Sequence, residues 1–308
     1  MLRAVAEAAG AAVRLYPDPE SRALREAAAR VYGLPADHIL AGNGSDELLA
    51  LILRATVDPG TRVAFPVPTY SLYDTMVAAQ GGECVRVPFP EDFALPTGLA
   101  GARAHVTFLC NPNSPSGTLV PLAEVESLAR AVSGLLVVDE AYVDFADSSA
   151  LSLITRLDNV VIVRTFSKSF SLAGLRVGLL FGRPALLAGL RTVKDSYNLS
   201  RLSQVGGLAA LEDLESMRAN VARIRETRTA LSSGLERLGF HVLPSQANFV
   251  LARRRGTDLG PLARALAGRG ILVRHFASPA LRDALRITVG TDAEIATLLE
   301  ALRDESPR

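Results

Sequence analysis

From residue 62 to residue 182 the chain alternates short β-branched runs with longer helical patterns, and few folds accept that alternation. RVAF (62–65), ECVRVP (83–88), AHVTFLC (104–110), LLVVDEAY (135–142), NVVIVRTF (159–166) and VGLLFG (177–182) read as buried strands. Near-continuous apolar runs of this length suit strands covered on both faces. Around and between them lie helical stretches such as SDELLALILRAT (45–56) and PLAEVESLARAVSG (121–134), the second opened by Pro121 and closed by Gly134. The pattern predicts an α/β fold with a mostly parallel central sheet flanked by helices. From about residue 204 the pattern changes. A long helical segment runs to Gly239, and FHVLPSQANFVLAR, ILVRHF and LRITVG then read as a short-stranded unit. The predicted organisation is an N-terminal segment over 1–30, a large domain over 31–215 and a small α+β domain over 216–308.

Composition removes several classes of function. The 308 residues are 49% hydrophobic, enough to bury a large core. Thirty-three Lys and Arg stand against 32 Asp and Glu, a net charge of +1 that gives no footprint for nucleic acid or an anionic membrane. Cys84 and Cys110 lie far apart in apolar runs, so neither a disulfide framework nor zinc spacing is present. A reducing cytoplasm is the expected location. The Ala-rich N-terminus is broken by Arg and Glu and lacks a signal-peptide core. No run approaches the ~18 apolar residues of a membrane span. His38, His105, His241 and His275 are scattered, and no metal site is expected.

Ligands of open α/β sheets bind at the carboxyl ends of the strands, and there the unusual residues gather. GNGSDE (42–47) is a glycine-bearing turn opening a helix; it suits a phosphate, though Ser45 or Asp46 could serve simply as an N-cap. CNPNSPSGT (110–118) follows a strand and is too rich in Pro and Asn for helix or sheet, although a tight turn would look the same. Asp139 ends an apolar run and must be paired or bear a large desolvation cost. In RTFSKSFSLAGLR (164–176) Lys168 sits among Thr165 and Ser167, with Arg176 beyond. Taken singly, Asp139 could bridge Arg176 and Lys168 could face solvent. A phosphate cradle, a buried acid, a tyrosine (Tyr142) three residues after it and a strand-end lysine on one sheet form the set that pyridoxal phosphate needs. Cys110 reads as a small core residue and RRR (253–255) as a solvated turn.

DEAYVDF, RTFSKSFSLAGLRVG, VKDSYNLSRLSQ and LRITVGT stand in the order found in fold-type I, aspartate aminotransferase-like enzymes, which the chain resembles from residue 16 to residue 291. Among them it looks most like the histidinol-phosphate aminotransferase family. That resemblance implies the pyridoxal-phosphate-dependent transferase fold, and transamination between histidinol phosphate and 2-oxoglutarate, with glutamate giving the amino group in the biosynthetic direction. It also implies roles. Lys168 would bind the cofactor covalently and move the proton, Asp139 would pair with the ring nitrogen, and Tyr142 would bond the ring hydroxyl. Tyr70 would stack on the ring. Ser45, Asp46, Thr165, Ser167 and Arg176 would hold the phosphate, joined by Tyr16 from the partner subunit of a homodimer. Arg286 would bind the substrate's acid group, Arg274 would add a phosphate contact, and Asn198 would lie near the substrate.

Two departures stand out. The family pattern N-P-N-N-P-T-G has an asparagine on the ring oxygen where this chain has Ser114. Either Asn113 takes that role after a small loop shift or Ser114 does, and Asn113 is the expectation carried forward. An N-E-N-P-x-G-like stretch before LYPDP is not found in the 15 residues preceding Tyr16; either the start is misassigned or the arm is lost, and loss would leave the substrate less shielded from water. Rival readings are a threonine-phosphate decarboxylase, an aromatic aminotransferase and a decayed, non-enzymatic homologue. Intact Lys168, Asp139, Tyr142, Arg176 and Arg286 speak against the last.

Overall fold

The alternating runs build one sheet. A computed structural model, which describes residues 1–305, gives it strands β1 (Ile39–Gly42), β2 (Arg62–Val67), β3 (Glu83–Pro88), β4 (Val106–Cys110), β5 (Leu135–Asp139), β6 (Val160–Thr165) and β7 (Gly178–Phe181). Their order is β1-β7-β6-β5-β4-β2-β3. The β3, β2, β4, β5 and β6 strands pair in parallel, and β7 runs antiparallel to both its neighbours. The helices are α1 (Leu2–Ala8), α2 (Arg22–Tyr32), α3 (Gly44–Thr56), α4 (Leu72–Ala79), α5 (Leu122–Ala131), α6 (Pro184–Val193), α7 (Arg201–Leu211), α8 (Leu214–Arg237), α9 (Gly260–Gly268) and α10 (Asp292–Asp304).

Alternation along the strands divides the core into two layers. Leu136, Val138 and Ile162 pack with α2, α5 and α7 on one face. Val137, Val161 and Val163 pack with α3, α4 and α6 on the other. In α3, Leu48, Leu49 and Ile52 are fully buried, each contributing roughly 1.5–3 kcal/mol. That anchoring fixes where the start of α3 lies. The register brings the strand ends level: Cys110 pairs with Asp139, Thr165 with Gly178, and Gly42 with Gly178.

The expected elements differ from the observed ones in five places. The four-residue β1 was too short to be read as a strand. The edge strand β3 is only partly buried rather than buried. LLVVDEAY leaves the sheet at Asp139, whose Oδ1 accepts the Ala141 N–H at 3.1 Å, so Tyr142 lies in the turn beyond. The α5 helix stops at Ala131, short of Gly134; that glycine instead permits a close approach, since a Cβ there would lie 2.1 Å from the His105 carbonyl oxygen. The long helical segment is two helices, broken where Asp213 caps α8 by accepting from the Ser216 N–H.

The later strands β8 (His241–Val242), β9 (Phe249–Arg253), β10 (Arg274–His275) and β11 (Ala284–Thr288) form an antiparallel sheet in the order β10-β11-β9-β8. One face packs on α8, α9 and α10 through Leu231, Val250, Leu285 and Leu302. The other meets Phe89 and Phe93 from the loop after β3. The Gln246 N–H also donates to the Gly117 carbonyl at 2.7 Å, joining this sheet to the NPNSPSG loop. No helix among the described residues is long and apolar enough to cross a membrane.

Candidate active site

The level strand ends and the start of α3 enclose a cavity of about 140 Å3. Ser45, Asp46, Tyr70, Asp139, Tyr142, Thr165, Ser167, Lys168 and Arg176 all line it, so most of the residues expected at the cofactor do converge. Cys110, Ser114, Ala141 and Ala173 complete the wall.

One end is built for an anion. The Asn43 side chain makes no capping bond at the start of α3, and the Glu47 carboxylate accepts from the Asn43 N–H ahead of the first turn. Gly44 there has φ +81°, and a Cβ would lie 2.6 Å from Arg176 Nη2. A Cβ on Gly178 would lie 2.5 Å from the Gly44 carbonyl carbon. These two glycines let the helix start settle on β7 with Arg176 across it. Arg176 Nη1 donates to Ser167 Oγ at 3.3 Å, and Thr165 Oγ1 donates to the same oxygen at 2.9 Å. A guanidinium, two hydroxyls and the start of α3 make an anion cradle. Arg176 Nη2 also donates to Asp46 Oδ2 at 3.1 Å, and the Tyr70 hydroxyl donates to Asp46 Oδ1 at 3.1 Å. The alternative of an Asp139–Arg176 bridge is therefore not what forms.

The opposite end is acidic. Asp139 is 3% exposed and accepts from the Tyr73 hydroxyl at 2.8 Å as well as from the Ala141 N–H. Burial still pushes its carboxyl up to about 6. Between the two ends stands Lys168, with Nζ 5.5 Å from the centre of the Tyr142 ring. Burial, and next the positive charge of Arg286, lower its pKa from the ordinary lysine value. Burial raises the Tyr142 phenol to about 12, and its ring stands edge-on to Phe249 at 5.0 Å.

A second space of about 740 Å3 adjoins the first, sharing Tyr70 and Ser114. Its walls come from the loop after β2 and from the small sheet. Arg274 and Arg286 are direct partners on β10 and β11, which puts both side chains on one face of that sheet. Arg286 Nη1 donates to Ser114 Oγ at 3.0 Å and its guanidinium lies 5.1 Å from the Phe249 ring centre. Arg274 lies over Phe276 at 5.4 Å.

Asn113 and Asn198 are elsewhere than expected, and Tyr16, expected at a partner's cradle, is not at this chain's own. The Asn113 side chain is consumed by its own loop and by the loop after β2: it accepts from Thr69 Oγ1 at 2.7 Å and donates to Ser116 Oγ at 2.9 Å and to the Pro68 carbonyl at 3.3 Å. Ser114, not Asn113, faces the cavity. Asn198 brackets the end of β1, donating to the Ala41 carbonyl at 3.1 Å and to Glu47 Oε2 at 3.0 Å, and lines neither space. Tyr16 is 77% exposed and stacks on Tyr197 at 4.4 Å, away from this chain's own cavity. One residue was missed. Tyr73 follows Tyr70 by one helical turn in PTYSLY, and that spacing was the signal that could have found it.

An anion cradle, a buried carboxylate and an amine of lowered basicity between them suit pyridoxal phosphate, with Gly44 and Gly178 leaving open the space that a Cβ would fill. Among the described residues no group of three or more His, Cys, Asp or Glu side chains could hold a metal ion.

Comparison with known proteins agrees with this arrangement. The model of the family described as aminotransferase class I and II matches residues 1–302. Histidinol-phosphate aminotransferase 1 of Trichormus variabilis is 44% identical over 304 residues, covering 98% of this chain and 87% of that protein. Histidinol-phosphate aminotransferase of Geotalea daltonii is 42% identical over 302 residues, covering 98% and 87%. The crystal structure of histidinol-phosphate aminotransferase from Sinorhizobium meliloti in complex with pyridoxal-5′-phosphate superposes with a TM-score of 0.90 at 31% identity, covering 99% of this chain and 87% of that one.

Proposed function

The chain belongs to the aminotransferase class I and II family, and from that premise we propose that it moves the amino group of L-glutamate to imidazole acetol phosphate, giving 2-oxoglutarate and L-histidinol phosphate. The observation that carries this reading is a pair of guanidiniums, Arg274 and Arg286, on the wall of a space that opens beside Lys168 and Asp139. A guanidinium takes a carboxylate or a phosphate in the same two-pronged geometry, so one wall can serve both substrates in turn.

Pyridoxal 5′-phosphate, when bound, supplies an aldehyde that exchanges its oxygen for an amine and a ring that accepts the electron pair of the adjacent carbon. Arg176, Ser167, Thr165 and the N–H groups of Ser45 and Asp46 would hold its phosphate. Asp139 would hold its ring nitrogen, Tyr142 and Ser114 its ring oxygen, and Tyr70 one face. Lys168 is the base in this reading: its lowered pKa enlarges the neutral fraction of the amine near neutral pH, and Nζ would take the proton from the substrate's Cα and deliver it to the former aldehyde carbon on the other side of the shared nitrogen. Arg286 orients the substrate by its acid group, with Arg274 adding a second contact when that group is a phosphate. In steady-state assays of histidinol phosphate against 2-oxoglutarate, parallel double-reciprocal lines are expected, because one product leaves before the second substrate enters. Intersecting lines would contradict the reading.

The working unit in this proposal is a cytoplasmic homodimer in which Tyr16 reaches the partner's cradle. Exposed Val13, Leu15 and Tyr16, beside the Tyr16–Tyr197 stack, support the dimer; the two free cysteines, Cys84 and Cys110, support the reducing compartment. A division of the chain into 31–215 and 216–308 is part of the same proposal, supported by the separate apolar cluster around Leu231, Leu285 and Leu302.

A further inference from the structure

One buried ionisable group has no part in the chemistry above. Tyr73 is fully buried in α4, its ring stacked on Phe108 at 4.9 Å and edge-on to Phe65 at 5.8 Å and to Tyr70 at 5.6 Å. A phenol there could be a phenylalanine without loss of packing, unless its hydroxyl has a task. That hydroxyl points at Asp139 Oδ2, 2.8 Å away. The other carboxylate oxygen accepts the Ala141 N–H at 3.1 Å. An ionised carboxylate has about four lone-pair sites, so these two bonds fix its plane and leave the remaining sites for the cavity. Tyr70, one turn earlier, reaches Asp46 in the anion cradle, so a single turn of chain addresses both ends of the site.

We propose that Tyr73 is a positioning residue of the reaction, orienting the Asp139 carboxylate and holding it as the acceptor for the cofactor's ring nitrogen. This rests on the reading of the cavity as a pyridoxal-phosphate site. The hydroxyl is neutral and stays so, since burial, and next the charge of Asp139, push its pKa well up. Toward Asp139 it therefore acts as a donor, favouring the ionised form of an acid whose burial works against that form. Removing the donor shifts the shared proton from the ring nitrogen toward Asp139.

The test is a double-mutant cycle on the holoenzyme reconstituted with pyridoxal phosphate carrying 15N in its ring. In the wild type the ring-nitrogen shift should be that of a protonated pyridine. Tyr73→Phe should move it toward the neutral value and weaken cofactor binding roughly tenfold. On an Asp139→Asn background, Tyr73→Phe should change neither quantity further. An unchanged shift in Tyr73→Phe, or an equal loss of affinity in both backgrounds, overturns the inference, because packing alone would then account for Tyr73. A second measurement needs no Tyr73 variant. The wild-type holoenzyme should show a slowly exchanging downfield hydroxyl proton that Asp139→Asn abolishes, and its absence would also overturn the inference. A wild-type chain that takes up no cofactor sinks the cofactor reading and this inference with it. Normal uptake with an indifferent Tyr73→Phe sinks this inference alone.

Discussion

At the scale of single residues, Lys168 and Asp139 make opposite demands on the same burial. It lowers the lysine's pKa and raises the acid's, which would give the proposed reaction a base and a proton-holding partner at the same end of the sheet. Lys168→Ala should cut turnover by at least ~10³-fold and abolish the visible absorbance of the lysine-bound cofactor, while the anion cradle still takes up free pyridoxal phosphate. Retained turnover would remove Lys168 as the base. Asp139 has a pH signature. Its carboxyl rises from the ordinary 3.8 to about 6, so the folded chain binds that proton more tightly than the unfolded chain. The cofactor-free protein should therefore lose stability as pH climbs through that window, by about 3 kcal/mol for a rise of roughly two units. Asp139→Asn removes the titration. In urea melts its stability relative to wild type should improve by about that amount between about pH 4 and pH 7. A pH-independent difference would mean that Asp139 is not held protonated by burial.

At the scale of elements, the site depends on how closely the start of α3 lies on β7. Gly178→Ala puts a methyl 2.5 Å from the Gly44 carbonyl carbon, a backbone contact that cannot rotate away. The expected cost is roughly 1–3 kcal/mol of stability, with a cofactor affinity that falls more than the melting temperature suggests, because the cradle is what moves. Equilibrium dialysis against pyridoxal phosphate, set beside urea melts, separates the two effects. The strands that carry chemistry were legible because a buried parallel strand must be apolar and a polar residue at its end is conspicuous, as with Asp139, Thr165 and Lys168. What was not legible depended on side-chain direction. Asn113 and Ser114 are neighbours, and hydrogen bonds that Asn113 makes within its loop and to the loop after β2 leave the serine to face the cavity. Asn198 sits beside Tyr197 in sequence, yet its amide is used to bracket β1. Tyr73 was hidden by its type, since an aromatic on a buried helix face reads as core until its hydroxyl is seen to meet Asp139.

At the scale of the whole molecule, the proposed substrate wall lies where the two sheets meet. Arg286 bonds Ser114 across that junction, and the Gln246–Gly117 bond holds the loop beneath it. Arg286→Gln should raise KM for glutamate and for histidinol phosphate roughly 10²-fold with a smaller change in kcat, because it removes an orienting contact rather than the base. Arg274→Gln should weaken histidinol phosphate more than glutamate. Equal effects on both substrates would argue that Arg274 is not a phosphate contact. Sedimentation equilibrium should give twice the chain mass, and a monomer with full activity would remove Tyr16 from the cradle. The most direct test of the whole is a half-reaction followed by absorbance. Holoenzyme is titrated in turn with L-histidinol phosphate, L-glutamate, L-phenylalanine and O-phospho-L-threonine. The visible band should give way to the near-ultraviolet band of the aminated cofactor with histidinol phosphate and glutamate at far lower concentrations than with phenylalanine, and no CO2 should appear with phosphothreonine. Equally ready conversion by phenylalanine, or CO2 release from phosphothreonine, would contradict the assignment of this chain to histidinol-phosphate transamination.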